Sequence, residues 1–138
     1  MPAKDAFHEA VVDALDKEDW EITEDPFYIE FAQVEMYIDL GAEKLLAAEK
    51  ESQKIAVEIK SFLGSSAISE FHTAIGQYMN YRLALGDLHP DRILDLAVPE
   101  DTYNEFFVQQ FGQLAITHYK LKLIVYNVAR KEIIRWLE

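Results

Sequence analysis

Apolar and polar positions alternate most regularly between residues 54 and 62 of this chain. Every second position there holds a β-branched apolar side chain, namely Ile55, Val57 and Ile59. A period of two predicts a β-strand whose apolar side chains share one face. Glu58 and Lys60 then lie side by side on the opposite face, where two charged groups can act together.

Apolar positions recur at helical spacing in three other stretches. The first predicted helix runs from Ala3 to about Glu18. The second covers Ile68 to about Leu85, and Gly86-Asp87 is expected to end it. The third begins at Asp101 or Thr102 and carries the apolar residues Phe106, Phe107, Phe111, Leu114 and Ala115.

Short apolar or alternating runs predict the remaining strands. They cover residues 20–23, 43–49, 53–61, 93–98, 121–128 and 132–136, with a tight polar turn at residues 50–52. Residues 27–40 show no clean period, and we expect a loop and a short helix leading into a short strand that delivers Asp39. The resulting order, α-β-β-β-α-β-α-β-β, predicts a mixed α/β fold with a central mixed sheet flanked by helices.

Length and composition favour one globular domain over residues 1–138. Half of the residues are apolar and no cysteine is present, which excludes disulfides and thiolate zinc sites. The sequence has no apolar run of membrane-spanning length and no signal-peptide pattern at residues 1–20. We therefore expect a cytoplasmic protein that does not enter membranes.

The charge is strongly negative and unevenly distributed. The net charge is −12, and residues 1–58 hold sixteen acidic and five basic side chains. Affinity for nucleic acid rests mainly on lysine and arginine contacting phosphates. Composition therefore argues against an independent DNA-binding protein and favours a basic protein partner, although a solvated acidic surface with no partner is the simpler alternative.

Three residues could carry chemistry together: Asp39, Glu58 and Lys60. Mg²⁺ prefers one or two carboxylates, completed by water and phosphate oxygens. A bound metal activates water and stabilises charge on a phosphodiester, and a nearby ammonium can steer the nucleophile. The alternatives remain open, because Asp39 could simply turn the chain before Gly41 and Glu58 with Lys60 could form an ordinary surface ion pair.

The spacing from Asp39 to Glu58-Ile59-Lys60 resembles the active-site signature of the PD-(D/E)xK nuclease superfamily, which has the restriction-endonuclease-like fold. Ile38 stands where that signature has proline. The resemblance implies that the carbonyl of Ile59 is a further metal ligand and that Glu9, on the first helix, supplies an extra carboxylate.

Gln77 and Tyr81 resemble the third motif of the RecB-like branch of that superfamily. They lie four residues apart on the second predicted helix, hence on one helix face. There a glutamine amide and a phenol can orient phosphate or water. The alternative is that Tyr81 packs in the core and Gln77 faces solvent.

Most of the chain resembles one family in particular, the fdxN-element excision controlling factors of the XisH type. The matching segments are residues 38–43, 47–50, 54–62, 76–78 and 81–82. The resemblance implies a role in programmed DNA excision together with an XisI-type companion protein, and contact with DNA through their complex.

Two functional classes therefore remain open. One is a Mg²⁺-dependent DNA endonuclease, favoured by the intact triplet. The other is a non-catalytic subunit that keeps the nuclease fold and regulates a separate recombinase, favoured by the net charge. The oligomeric state is open as well, with a homo-oligomer among the alternatives.

Overall fold

A six-stranded mixed sheet forms the centre of the computed structural model, which describes residues 4–46 and 51–138. In spatial order its strands are β1 (Glu21–Glu24), β4 (Leu40–Leu46), β5 (Glu51–Ile59), β6 (Arg92–Pro99), β7 (Leu123–Asn127) and β8 (Glu132–Leu137). The three central strands are parallel and the outer pairs are antiparallel. The predicted mixed α/β fold is confirmed.

Helices cover both faces of this sheet: α1 covers one, and the crossover connections that the parallel strands need cover the other. The helical elements are α1 (His8–Lys17), α2 (Ala67–Leu88), the single turn α3 (Glu100–Thr102), a π-helical turn (Tyr103–Phe107) and α4 (Gln110–Tyr119). α2 connects β5 to β6, and the segment from α3 to α4 connects β6 to β7. Among the described residues, none of these helices combines the length and apolarity needed to cross a membrane.

The sheet separates two apolar cores. The core on the α1 side contains Val11, Leu15 and the three β-branched residues of β5, Ile55, Val57 and Ile59. The predicted shared face of that strand is therefore confirmed. The other core lies under α2 and α4, and Ala56 of β5 belongs to it. Strand β5 thus presents apolar side chains in both directions, as a central strand must.

A hairpin that the sequence did not reveal occupies residues 27–38. Strands β2 (Phe27–Phe31) and β3 (Val34–Ile38) pair antiparallel and form a separate two-stranded sheet. The expected loop and short helix are therefore wrong, although the short strand before Asp39 is present as β3. Tyr28 and Tyr37 pack on each other across the two strands. Tyrosine was counted as apolar in the sequence pattern, so Tyr28 and Tyr37, which point away from the core, obscured the alternation of these two strands.

Two of the predicted helices also differ from the structure. α2 continues through Gly86, whose φ is not positive, and ends at Leu88, because Pro90 disfavours helical backbone at His89. The third predicted helix is broken between Phe107 and Gln110. A Cβ on Gly112 would lie 2.6 Å from the backbone of Phe107, so glycine permits this close approach.

The predicted bounds of β4 and β5, and of the turn between them, also differ from the structure. β4 begins at Leu40, three residues earlier than predicted, because the chain enters the main sheet directly after Asp39. Glu51 and Ser52 already pair within β5, so they are not part of a turn. Residue 50 of the predicted turn and residues 47–49 of the predicted strand lie outside the described residues. So does Ala3, where the first predicted helix was expected to start, and α1 begins only at His8.

Tyr78 anchors α2 to the sheet and provides a test of this packing. Its buried hydroxyl donates to the Leu94 carbonyl (3.0 Å) and accepts from the Lys122 N–H (3.2 Å). We predict that Tyr78→Phe lowers the free energy of unfolding by about 1–3 kcal/mol, because both backbone partners lose their hydrogen bond in the interior. Urea denaturation measures the effect, with exposed Tyr119→Phe as the control. Equal small losses in both variants would contradict this anchoring role.

Candidate functional site

The alternation of β5 directs Glu58 towards the helix α2. The apolar residues at 55, 57 and 59 face α1, so Glu58 points the opposite way and is only 4% exposed. Lys60 follows the strand, and its N–H still donates to the Ala97 carbonyl of β6 (3.0 Å). Lys60 Nζ lies 3.5 Å from Glu58 Oε2. The two charged groups therefore meet at the carboxyl end of β5.

Asp39 reaches the same place because the chain bends there. It is the single residue between β3, which belongs to the hairpin sheet, and β4, which belongs to the main sheet. Ile38 packs in the α2-side core, whereas Leu40 packs in the α1-side core. In a regular strand these two residues would share a face. The bend changes the orientation of the chain and leaves Asp39 at the junction of the two sheets.

Side chains replace the missing ladder hydrogen bonds at this bend. The Ile59 N–H donates to Asp39 Oδ2 (2.8 Å), and the Asp39 N–H donates to Glu58 Oε1 (3.3 Å). Leu40 and Val57 are the next residues along and pair in the regular antiparallel register. The two carboxylates are thus fixed by each other's backbone, and each has a second oxygen that takes no part in these two bonds.

One face of α2 closes the site from the side. Gln77 and Tyr81, one helical turn apart, line a cleft of about 160 Å³ together with Asp39, Glu58 and Lys60. Oε1 of Gln77 is buried and has no hydrogen-bond partner among the described residues. The structure therefore brings these five predicted site residues together, and the backbone of Ile59 lies in the same lining.

Glu9 is the predicted site residue that the structure places elsewhere. Its side chain is 74% exposed and lies 3.8 Å from the ammonium of Lys4. The buried stripe of α1 includes its neighbours His8 and Ala10, which turns Glu9 towards solvent. Its predicted role as a metal ligand therefore has no geometric support in this conformation.

Asp5 and Tyr37 line the cleft and were not predicted. Asp5 accepts hydrogen bonds from the N–H groups of Phe7 (2.9 Å) and Ser61 (3.0 Å), which ties the start of α1 to the end of β5. Asp5 enters the cleft through its contact with Ser61, 56 residues along the chain, so no local pattern signalled it. Tyr37 depends on the hairpin, so the sequence alone offered no means of placing it.

Burial changes the protonation of these groups. Burial, together with the adjacent Asp39 carboxylate, raises the pKa of Glu58 to about 8. Burial also raises the pKa of Asp39, against the opposing effect of the hydrogen bond from Ile59. The phenol of Tyr81 has a raised pKa because of burial and the negative charges of Glu58 and Asp39, so it remains a hydrogen-bond donor.

The groups in the cleft that could bind a metal are hard oxygen atoms, which fit a hard cation. Among residues 4–46 and 51–138, no group of three or more His, Cys, Asp or Glu side chains is arranged to hold a metal. A cation in this cleft would therefore take Asp39, Glu58 and the Ile59 carbonyl, and would complete its shell with water or phosphate. Mg²⁺ prefers such partial protein coordination. The unpartnered oxygen of Gln77 offers one further acceptor nearby.

A larger cavity, about 420 Å³, is lined by Trp20, Trp136, Glu18, Lys44, Gln53 and Glu138. Its two tryptophan rings pack on each other at 5.7 Å, and Glu18 accepts a hydrogen bond from the Trp136 indole (3.0 Å). Glu18 and the two tryptophans are therefore already engaged with one another. The smaller cleft, with two buried carboxylates beside a lysine, is the better candidate for chemistry.

The fold and the cleft define a small single-domain α/β protein in which a mixed sheet holds a polar site at its junction with a hairpin. The family model for the XisH protein matches residues 1–134, which is nearly the whole chain. The chain therefore belongs to the XisH family. No curated protein matches it.

Two solved structures share both sequence and fold with this chain. An XisH family protein from Nostoc punctiforme PCC 73102 is 45% identical, with a TM-score of 0.89, and the match covers 97% of this chain and 100% of that one. An fdxN element excision controlling factor protein from Anabaena variabilis is 47% identical, with a TM-score of 0.88 and coverage of 96% and 98%. The recognised family resemblance is confirmed.

The raised pKa of Glu58 predicts a specific pH dependence of stability. The folded protein holds this proton up to about pH 8, whereas an unfolded glutamate releases it near 4.5. The stabilisation is therefore complete below about pH 4.5 and is lost as pH rises towards 8, with a slope of up to about 1.4 kcal/mol per pH unit. We predict that Glu58→Gln makes the decline in the free energy of unfolding shallower and leaves the part that the buried Asp95 contributes.

Urea denaturation between pH 5 and 9, without divalent cations, measures the decline. Glu132→Gln, a neutralised carboxylate on the exposed edge strand β8, is the control and should follow the unmodified protein. Parallel curves for Glu58→Gln and the unmodified protein would show that Glu58 ionises normally in the folded state.

Proposed function

We propose that this chain acts as an excision controlling factor in programmed DNA excision and that its cleft is a Mg²⁺-dependent phosphodiester site. The observation that carries the proposal is the convergence of Asp39, Glu58 and Lys60 beside Gln77 and Tyr81 in one cleft. Family membership and the name of the Anabaena variabilis relative supply the biological setting. The restriction-endonuclease-like resemblance of the sequence supplies the chemistry.

The chain's own residues suit this chemistry. Asp39, Glu58 and the carbonyl of Ile59 would hold Mg²⁺, which would activate water and neutralise charge on the phosphodiester. Lys60 would balance the charge of Glu58 once a metal has displaced its proton, and it presents an ammonium to an incoming phosphate. Tyr81 keeps its proton and can donate to a phosphate oxygen. Gln77 can accept from a water or a hydroxyl, because its buried oxygen lacks a partner among the described residues.

A second candidate function is supported by the electrostatics. Most of the negative charge belongs to residues 1–58, the same part that supplies Asp39 and Glu58. A polyanion approaching this cleft meets repulsion that salt screens only beyond about 10 Å. The alternative is a non-catalytic subunit whose affinity for DNA comes from an XisI-type companion and which regulates a separate recombinase.

The metal hypothesis predicts stabilisation by Mg²⁺ that depends on pH. Binding requires Glu58 to release its proton, so affinity should increase up to about tenfold per pH unit as the pH approaches 8. We expect the Mg²⁺-induced rise in Tm to be larger at pH 8 than at pH 6 and to vanish in Asp39→Asn. Thermal unfolding with and without Mg²⁺ measures it.

Asp13→Asn removes one carboxylate from the outer side of α1 and serves as the matched control. It should keep the full response to Mg²⁺. An equal rise in Tm in Asp39→Asn and in the unmodified protein would remove Asp39 from the metal site.

Cleavage is tested by nicking of a supercoiled plasmid that carries the fdxN element. The protein is assayed alone and with the XisI-type companion, in the presence of Mg²⁺ or Mn²⁺. We predict metal-dependent nicking that Lys60→Met reduces by about 100-fold or more, because removing one charge-stabilising group from such a site commonly has this effect. Lys54→Met, on strand β5 and paired with Asp91, should retain activity.

DNA retention across a salt series separates the two candidate functions. A regulatory subunit would be retained on DNA only with its companion. Lys60→Met would then leave plasmid nicking unchanged. Tight binding by the isolated chain that weakens steeply with salt would instead reveal a clustered basic surface. That result would contradict the need for a companion.

A further inference from the structure

The hairpin of β2 and β3 turns only one of its two faces towards the rest of the chain. Its inward face packs into the α2-side core, for example through the buried side chain of Ile29. The alternation of the two strands places the other side chains on the outward face, where Tyr28 pairs with Tyr37 and Glu30 pairs with Glu35. We call these four residues the outward hairpin face.

Two like charges oppose each other on this face. Glu30 and Glu35 are directly opposite across the two strands, and both are exposed. Like charges at such positions destabilise a strand pair. The hydroxyl of Tyr28 lies 3.4 Å from Oε1 of each glutamate, but it has a single proton to donate. Among the residues that the structure describes, neither glutamate forms an ion pair, so no cation there offsets the repulsion.

The sequence around the hairpin is also without positive charge. Residues 18–43 include nine acidic side chains and no lysine, arginine or histidine. Such a surface attracts basic molecules, and it repels both DNA phosphates and a second copy of this chain, whose net charge is −12. Across residues 4–46 and 51–138, no group of three or more His, Cys, Asp or Glu side chains is arranged to hold a metal ion. The charge therefore favours a basic protein segment as the occupant.

An exposed aromatic pair adjoins the two carboxylates. Tyr28 is 45% exposed, and its ring centre lies 5.3 Å from that of Tyr37. Aromatic faces attract cations, and arginine is found on them more often than lysine. A guanidinium is planar, so it can stack on a ring while its N–H groups donate to carboxylates. The combination of an exposed ring and two neighbouring carboxylates therefore suits an arginine side chain.

We propose that the outward hairpin face docks an arginine within a basic segment of a partner protein. The guanidinium lies over Tyr28 and donates to Glu30 and Glu35, which replaces their repulsion by charge-assisted hydrogen bonds. Tyr37 also lines the candidate cleft, so the docked segment brings positive charge to the rim of that cleft. The proposal locates the docking of the companion that the proposed function invokes. It does not depend on a metal in the cleft, and either can fail while the other holds.

Binding of a fluorescently labelled hexa-arginine peptide to the full chain tests the proposal, by anisotropy at physiological ionic strength without divalent cations. We expect Glu30→Gln combined with Glu35→Gln to raise the dissociation constant at least about tenfold, because charge-assisted contacts are lost. Asp16→Asn combined with Glu21→Gln is the control, since it changes the net charge equally at exposed positions outside the hairpin. It should raise the dissociation constant less than about twofold, because salt screens distant charges. Equal weakening in both double variants overturns the proposal.

The glutamate variant also carries its own folding control. It loses two opposed like charges, so it should melt at the same temperature as the unmodified protein or at a higher one. Weaker peptide binding at an undiminished Tm then reports the lost contacts. Full binding at that Tm overturns the proposal.

Tyr28→Leu separates stacking from charge, because it removes an exposed ring and leaves both glutamates in place. We expect it to raise the dissociation constant of hexa-arginine about threefold or more, and that of hexa-lysine by less. Tyr119→Leu, at a 37% exposed residue of α4, should change neither value. An unchanged affinity for hexa-arginine in Tyr28→Leu overturns the proposal. So does a thymine oligonucleotide that binds the unmodified chain but not Tyr28→Leu, because the face would then stack nucleobases.

Discussion

The exchange of hydrogen bonds between Asp39 and the Glu58-Ile59 segment is the interaction on which the rest of the structure depends. It holds the point where the chain leaves the hairpin sheet and enters the main sheet. Without it, the backbone groups at the bend would lack partners in a part-buried position, which costs free energy comparable to a lost hydrogen bond. The same bonds orient both carboxylates. The junction of the two sheets and the candidate site are therefore formed by the same residues.

Sequence periodicity predicted the parts of the fold that alternate or repeat without interruption. The face shared by Ile55, Val57 and Ile59 followed directly from a period of two, and so did the position of Glu58 opposite them. The hairpin at residues 27–38 could not be recognised, because its turn places Ala32 and Gln33 at positive φ without the usual Asn or Gly. Asp5 and Tyr37 enter the cleft only through tertiary contacts, and no local pattern specifies these.

The protein keeps its carboxylates in two different states. Many lie on the surface, where they give the chain its net charge of −12. Glu58 and Asp95 are buried instead, and burial raises the pKa of Asp95 to about 7, as it raises that of Glu58. Surface carboxylates control which molecules approach, whereas buried ones retain a proton until a cation or a charged partner replaces it. A negative net charge therefore says little about the charge inside the cleft at neutral pH.

Tyr78 and Gln77 are neighbours in sequence, yet one fixes α2 to the sheet and the other lines the cleft. Because consecutive residues are separated by 100° around a helix, the anchored side, the cleft side and the exposed side of α2 keep their places only while its residue count is unchanged. A single inserted residue before Tyr78 would rotate every later side chain by that angle and turn Leu85 out of the core. Substitutions in α2 therefore act on one surface at a time, whereas a change in its length acts on all three.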